Sequence, residues 1–150
     1  MSFPEMIKVG PVGNDRSGGE WDEKGNDRII EIYISYCSYY IASLQFKYVN
    51  PQGMQVLSRL HGISNGSHFN VVKLNSSEYL TGVKGKCCFH IESLTFITNA
   101  REFGPFGAVN TRSREFNFQF GLNRRFGGFF GHTKNGCLTS IGAYLKTRDE

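Results

Sequence analysis

Hydrophobic and polar positions alternate with period two along most of the chain. From Arg28 onward, Ile30, Ile32, Ile34 and Tyr36 fall on one face, and Ile29, Glu31, Tyr33 and Ser35 on the other. That is the signature of a strand with one face in a core. A partner strand places Ala42, Leu44, Phe46 and Tyr48 on one side and Ser43, Gln45 and Lys47 on the other. Asn50-Pro51-Gln52-Gly53 then closes it with strong turn chemistry. Met54 to Leu57 and Val71 to Leu74 read as short strands, with His61-Gly62 and Asn65-Gly66 as a turn region between them. Ile91 to Asn99 and Phe116 to Phe120 alternate cleanly, the latter with three Phe on one face.

Two glycine-rich stretches interrupt the alternation. Gly10-Pro11-Val12-Gly13-Asn14-Asp15-Arg16-Ser17-Gly18-Gly19 follows a short strand, Met6 to Val9, and reads as a turn-rich loop. It lacks the Gly-Lys-Ser/Thr and following helix that a phosphate cradle needs; Glu20-Trp21-Asp22 and a strand come next. Near the other end, Arg125 to Gly131 reads as a glycine-loosened strand, His132 to Gly136 as a polar loop, and Ser140 to Leu145 as a second strand. Such a loop offers backbone N–H groups to a hydroxyl-rich ligand. Glu78 to Gly85 carries two glycines that suggest a bulge. Phe103-Gly104-Pro105-Phe106-Gly107 is a turn-bearing element, and Lys146 to Glu150 a charged tail.

The count is ten to twelve short strands with no window of helical periodicity, which predicts an antiparallel sandwich, barrel or prism. At 150 residues the chain suits a single domain spanning 1–150. Three blocks of similar strand length, 1–50, 51–100 and 101–150, permit pseudo-threefold architecture.

Composition sharpens this all-β reading. Glycine supplies 18 residues and Phe 13, turn formers and residues suited to pleated surfaces. A net charge of +4 permits an acidic partner without the dense basic stripe of a nucleic-acid binder. Arg112, Arg114, Arg124, Arg125 and Lys134 are scattered and read as solvated surface charge. Met1-Ser2-Phe3-Pro4-Glu5-Met6 lacks a basic n-region and an apolar h-region, so a cytoplasmic or nucleocytoplasmic protein without signal peptide is expected. No apolar run reaches membrane-span length, so no membrane insertion is expected. The sequons at Asn65 and Asn75 are then chance matches.

The adjacent Cys87 and Cys88 would face opposite sides of a strand. No paired Cys or His spacing suits zinc, so neither metal nor cofactor is expected. No local nucleophile signature appears, and Glu78, Glu92 and Glu115 show no sign of converging across a cleft, so no enzyme is expected.

Several segments together resemble the jacalin-related lectins, over nearly the whole chain. Gly10-Pro11-Val12-Gly13 leading to Gly18-Gly19-Glu20-Trp21-Asp22 is similar to the family's opening glycine loop and aromatic-Asp start. Arg28-Ile29-Ile30-Glu31-Ile32 resembles its second strand, and Glu78 to Gly85 its E-Y-(L/I)-x-x-V-x-G segment. Ser93-Leu94-Thr95-Phe96-Ile97-Thr98-Asn99 followed by Phe103-Gly104-Pro105-Phe106-Gly107 resembles its SLTFxTN…YGPFG signature. In this order and spacing the set is specific.

The resemblance implies a β-prism I fold, three four-stranded Greek-key sheets around a pseudo-threefold axis, binding carbohydrate at one end. Members of this kind without a signal peptide are typically mannose- or glucose-binding plant lectins of the cytosol. The implied role is in plant defence or stress, with glycans or glycoproteins as partners and a homodimer or higher oligomer as a possible assembly. The family's sugar site uses the opening loop, here Gly18 and Gly19, and the turn before the last strand, usually Gly-x-x-x-Asp ahead of a small residue and Ile-Gly. Aligned on Leu138 and Ile141-Gly142, the family's Gly falls at Asn135 and its Asp at Thr139, with a loop one residue longer. The implied carbohydrate-binding residues are Gly18, Gly19, Asn135, Gly136, Cys137, Leu138 and Thr139, with Cys88 from a third loop, Lys86-Cys87-Cys88, that lacks the family's frequent aromatic platform. His132 reads as a solvated loop histidine.

The Asp-to-Thr change divides the functional expectation. One reading is a lectin for mannose- or glucose-type glycans with a weakened site, because a charged acceptor gives hydrogen bonds about twice as strong as a neutral one. The alternative is a lectin-like interaction or oligomerisation module whose sugar recognition is lost or altered.

Overall fold

The computed structural model describes residues 5–16 and 18–147. Ser17 and the last residues of the expected tail, 148–150, lie outside the described residues. Thirteen strands and no helix occur among them. They are β1 (Met6–Gly13), β2 (Gly19–Asp22), β3 (Ile29–Tyr36), β4 (Ile41–Val49), β5 (Gln55–Leu57), β6 (His61–Gly62) and β7 (His68–Lys73). β8 (Leu80–Cys87), β9 (Ile91–Thr98), β10 (Glu102–Gly107), β11 (Arg114–Gln119), β12 (Phe126–Lys134) and β13 (Cys137–Lys146) follow. Every pairing is antiparallel.

They form three sheets. Sheet A runs β1-β13-β12-β2, sheet B runs β5-β4-β3-β7 with β6 also on β4, and sheet C runs β10-β9-β8-β11. The threefold plan therefore holds, but its thirds are not consecutive blocks. Sheet A is assembled from both ends of the chain, and sheets B and C take the stretches between. Local strand length could not show this, because pairing β1 with β13 is a long-range event that leaves no periodic trace.

One phenylalanine from each sheet meets at the centre. Phe129 of β12 lies 5.4 Å from Phe46 of β4 and 6.1 Å from Phe96 of β9, ring centroid to centroid, and all three are buried. Ile34, Leu44, Leu94, Leu138 and Ile141 fill in around them without exposure. Burying a side chain of this kind stabilises by about 1.5–3 kcal/mol, so the joint core is what holds the sheets together.

The expected alternation needs one local correction. In β3 it is Ile29 rather than Ile30 that is buried, because a bulge between Ile29 and Glu31 shifts the register with β4. The two Gly-Pro stretches also differ from expectation. Both lie within strands, β1 and β10, whose registers shift between Val9 and Val12 and between Phe103 and Phe106. His61-Gly62, expected in a turn, is the short β6. Lys146, expected in a charged tail, ends β13 and is buried, its ammonium donating to Asp27 at 2.5 Å.

Candidate functional site

Three hairpin turns lie at one end of the prism, joining β3 to β4, β8 to β9 and β12 to β13. The segments leading into β2, β7 and β11 lie beside them, and these six pieces build the site end.

β2 is short, and its side chains hold it in place. Trp21 is buried and stacked on His61 at 4.3 Å, and His61 Nε2 lies 3.0 Å from the Glu23 carboxylate. The Tyr144 hydroxyl donates to Asp22 at 2.6 Å. Anchored in this way, β2 sets Gly19 opposite Thr133 and Glu20 opposite His132. Gly18 is thereby laid across β12. With φ at +89°, a β-carbon there would sit 2.1 Å from the Thr133 carbonyl oxygen. Gly19 differs, since nothing lies within 4 Å of its β-carbon position. The backbone demands glycine at the first position and only permits it at the second.

The polar loop expected over His132 to Gly136 is mostly strand. β12 continues to Lys134, which pairs with Cys137, so Asn135 and Gly136 alone make the turn. Their φ values, +52° and +77°, are the paired positive values of a type I′ hairpin, and Asn-Gly is its preferred sequence. Asn is among the few residues that accept this conformation, which explains how it stands where the family has glycine. Gly136 is buried beside Ile63 of the β6–β7 segment, whereas Asn135 is exposed. His132 is a strand residue rather than a solvated loop residue: its Nδ1 lies 2.8 Å from Ser140 Oγ and its Nε2 3.6 Å from Glu20.

The remaining expected residues follow the turn. The half-buried Cys137 donates its thiol to the Lys134 carbonyl at 3.1 Å, and burial pushes that thiol up. Leu138 is wholly buried and belongs to the core. Thr139 is the extra residue of a bulge, since His132 pairs with Ser140 while Thr133 pairs with Leu138. Its carbonyl accepts the Asn14 N–H at 2.8 Å. Its Oγ1 is buried without a hydrogen-bond partner.

Cys88 is exposed and Cys87 buried, but they do not share a strand as expected, because β8 ends at Cys87. Burial pushes the Cys87 thiol up, offset in part by Arg114 and by a hydrogen bond from the Gly13 backbone. β8 runs through Cys87, so the turn consists of Cys88, Phe89 and His90 rather than of Lys86-Cys87-Cys88. Phe89 at its tip is 77% exposed, so the third loop does carry an aromatic. A lone Phe between Cys88 and His90, out of step with the flanking alternation, was the sequence signal for it.

The scattered cations divide between the two ends of the prism, Arg112, Arg114 and Lys134 at the site end and Arg124 and Arg125 at the other. Arg114 opposes Cys87 near the site end, whereas Arg124 lies 4.3 Å over the Tyr79 ring at the opposite end. Glu78 precedes β8 and is buried against Arg101 at 3.0 Å.

The sheet plan has counterparts among known proteins. The family model for the jacalin-like lectin domain matches residues 9–144. The chain belongs to this family. It is 36% identical to jacalin-related lectin 2 of Arabidopsis thaliana over 93% of this chain and 86% of that protein. It is 37% identical to the protein RESTRICTED TEV MOVEMENT 1 of the same plant, over 95% of this chain and 88% of that protein. Among solved structures, a mannose binding jacalin related lectin from Ananas comosus superposes with a TM-score of 0.80 at 28% identity, covering 94% of this chain and 97% of that one. The three sheets are thus the β-prism of the jacalin-related lectins, and Gly18 and the Asn135-Gly136 turn lie together at one end of it.

Proposed function

We propose that this jacalin-like lectin is a non-catalytic carbohydrate-binding protein for mannose- or glucose-type glycans, using Gly18, Gly19 and the segment from Asn135 to Thr139. The observation that carries this reading is the Gly18 backbone lying directly on Thr133 and Lys134, one residue from the type I′ turn. The glycine segment and the hairpin tip are thereby brought side by side, with the Lys134 β-carbon and the Thr133 carbonyl against Gly18, and exposed backbone of this kind is suited to sugar hydroxyls. The mannose-binding structural relative supports the choice of sugar. At the same end of the prism the exposed Phe89 offers an apolar face of the kind on which the C–H face of a pyranose packs. Without a carboxylate at Thr139 the site is weak, and the protein gains useful avidity through oligomers or multivalent glycoproteins. It acts in the cytoplasm.

A second reading is favoured by the Thr139 hydroxyl, which is enclosed by the protein and directed at no exposed surface. On that reading the prism is an interaction module, and exposed Phe69 and Val71 on the edge strand β7 are its contact surface. A glycan array separates the two. The lectin reading expects signal on mannose- or glucose-terminated glycans. No signal on any glycan, together with self-association that Phe69→Lys abolishes, would replace it with the interaction module.

A further inference from the structure

The three sheets repeat one local device at the site end, and its chemistry differs among them. In sheet A the pairs His132 with Ser140 and Thr133 with Leu138 leave Thr139 bulged. In sheet B, Ser35 with Ser43 and Tyr36 with Ile41 leave Ala42 bulged. In sheet C, Lys86 with Ser93 and Cys87 with Ile91 leave Glu92 bulged. On the far side of each bulge a positive-φ glycine pairs with the serine that follows: Gly13 with Ser140, Gly62 with Ser43, Gly107 with Ser93. A β-carbon at each of these glycines would lie 2.2 Å from the bulged residue's carbonyl oxygen, that of Thr139, Ala42 or Glu92 respectively. The next amide repeats too, Asn14 N–H donating to Thr139 and Ala108 N–H to Glu92, both at 2.8 Å. Thr139, Ala42 and Glu92 are therefore equivalent by the pseudo-threefold, and only Glu92 brings a carboxylate.

That carboxylate sits in a built pocket. Ser113 Oγ donates to Glu92 Oε2 at 2.8 Å and is itself 2.9 Å from Thr111 Oγ1. Lys86 Nζ donates to the Thr111 carbonyl at 2.8 Å, which pins the segment that forms the pocket's far wall. Glu92 Oε1 has no hydrogen-bond partner among the described residues, and Glu92 lines an open pocket with Tyr39, His90, Asn110 and Thr111. Tyr39 is 75% exposed, and the neighbouring Tyr40 meets the His90 ring edge-on at 5.8 Å. A part-buried carboxylate oxygen in need of donors, set beside an exposed aromatic face, has the complementarity of a pyranose ring: hydroxyls for the one and a C–H face for the other.

We propose that the sheet C pocket, centred on Glu92, is a second carbohydrate site, taking a pyranose whose adjacent free hydroxyls donate to Glu92 Oε1 while its apolar face packs on Tyr39. The proposal rests on the carbohydrate reading of the fold but does not require the sheet A site to retain affinity.

The test is an amide shift map of the isotopically labelled natural chain, titrated with the methyl glycosides of mannose, glucose, galactose and N-acetylglucosamine, and repeated on Glu92→Gln. At least one sugar is expected to move the amides of His90 to Glu92 and Ala108 to Thr111. Those shifts should weaken about tenfold or more in Glu92→Gln, which keeps the shape and loses the charge, while any shifts at Gly18, Gly19 and Cys137 persist. Shifts confined to Gly18, Gly19 and Asn135 to Leu138 overturn the second site and leave the first standing. Sheet C shifts that survive Glu92→Gln unchanged overturn the role given to the carboxylate. Shifts at sheet C alone uphold the proposal and count against the sheet A site, and no shift with any sugar overturns both.

Discussion

Gly18 crosses β12 so closely that a β-carbon on it would stand 2.1 Å from the carbonyl oxygen of Thr133. Gly19, its neighbour, faces open space. Gly18→Ala is therefore expected to cost about 1–2 kcal/mol from the left-handed backbone alone, a fall in Tm of roughly 2–8 °C. It should also weaken any sugar binding at sheet A. Gly19→Ala should stay within about 0.5 kcal/mol of the natural chain. Thermal melts of the two variants side by side check this, and equal losses would contradict the crossing geometry.

The Asn135-Gly136 turn makes a second contrast. Asn135→Gly keeps access to φ near +52° and should fold normally, whereas Asn135→Val forces a β-branched residue into that region. The expected loss is about 1–2 kcal/mol, measured by denaturant unfolding. A valine variant as stable as the glycine variant would exclude the type I′ turn.

Acid stability should depend on Glu78. The Arg101 guanidinium, hydrogen-bonded to its carboxylate, lowers its pKa from 4.5 to about 2, against the opposing effect of burial and with further help from Thr98 and the Asn75 backbone. A depressed folded-state pKa means stability present above the ordinary carboxylate range and lost as pH falls from about 4.5 toward 2. Glu78→Gln should flatten the stability profile in that window and leave its slope near neutrality unchanged. Parallel profiles for the two proteins across pH 2–4.5 would refute the assignment.

The thiols should separate by access. Cys88 is exposed, whereas burial pushes both Cys87 and Cys137 up. Only thiolate reacts readily, so brief iodoacetamide treatment of the native protein should label Cys88 ahead of Cys87 and Cys137. Peptide mass mapping reads the order. Early labelling of Cys87 would mean that the end of β8 does not pack as described.

Much of this was legible in the residues. The alternation of β3, β4, β9 and β11 and the family-like segments led to the correct fold class, because each strand's buried face is written locally. Phe116, Phe118 and Phe120 are buried together as their spacing required. What local pattern could not carry was pairing between distant segments. The closure of β1 on β13, the bulge that buries Ile29 in place of Ile30, and the burial of Lys146 on Asp27 all arise from it. The site was half legible for the same reason. Gly18 and Asn135 announce their backbone needs by residue type, but the bulge that makes Thr139 and Glu92 equivalent exists only in the register of β12 with β13 and of β8 with β9.

The central claim is that sheet A's end is a sugar site weakened by the residue at its bulge. Glu92 shows that the equivalent bulge has room for a carboxylate, so Thr139→Asp is a fair restoration. The most direct measurement is a calorimetric titration of methyl α-mannopyranoside into the natural chain and into Thr139→Asp, each confirmed as folded by circular dichroism. Regaining a charge-assisted acceptor in place of a neutral hydroxyl is worth about 1.5–3 kcal/mol, so affinity should rise roughly 10- to 150-fold. Equal affinities would show that Thr139 is not at the sugar site, and no heat from either protein would contradict the claim outright.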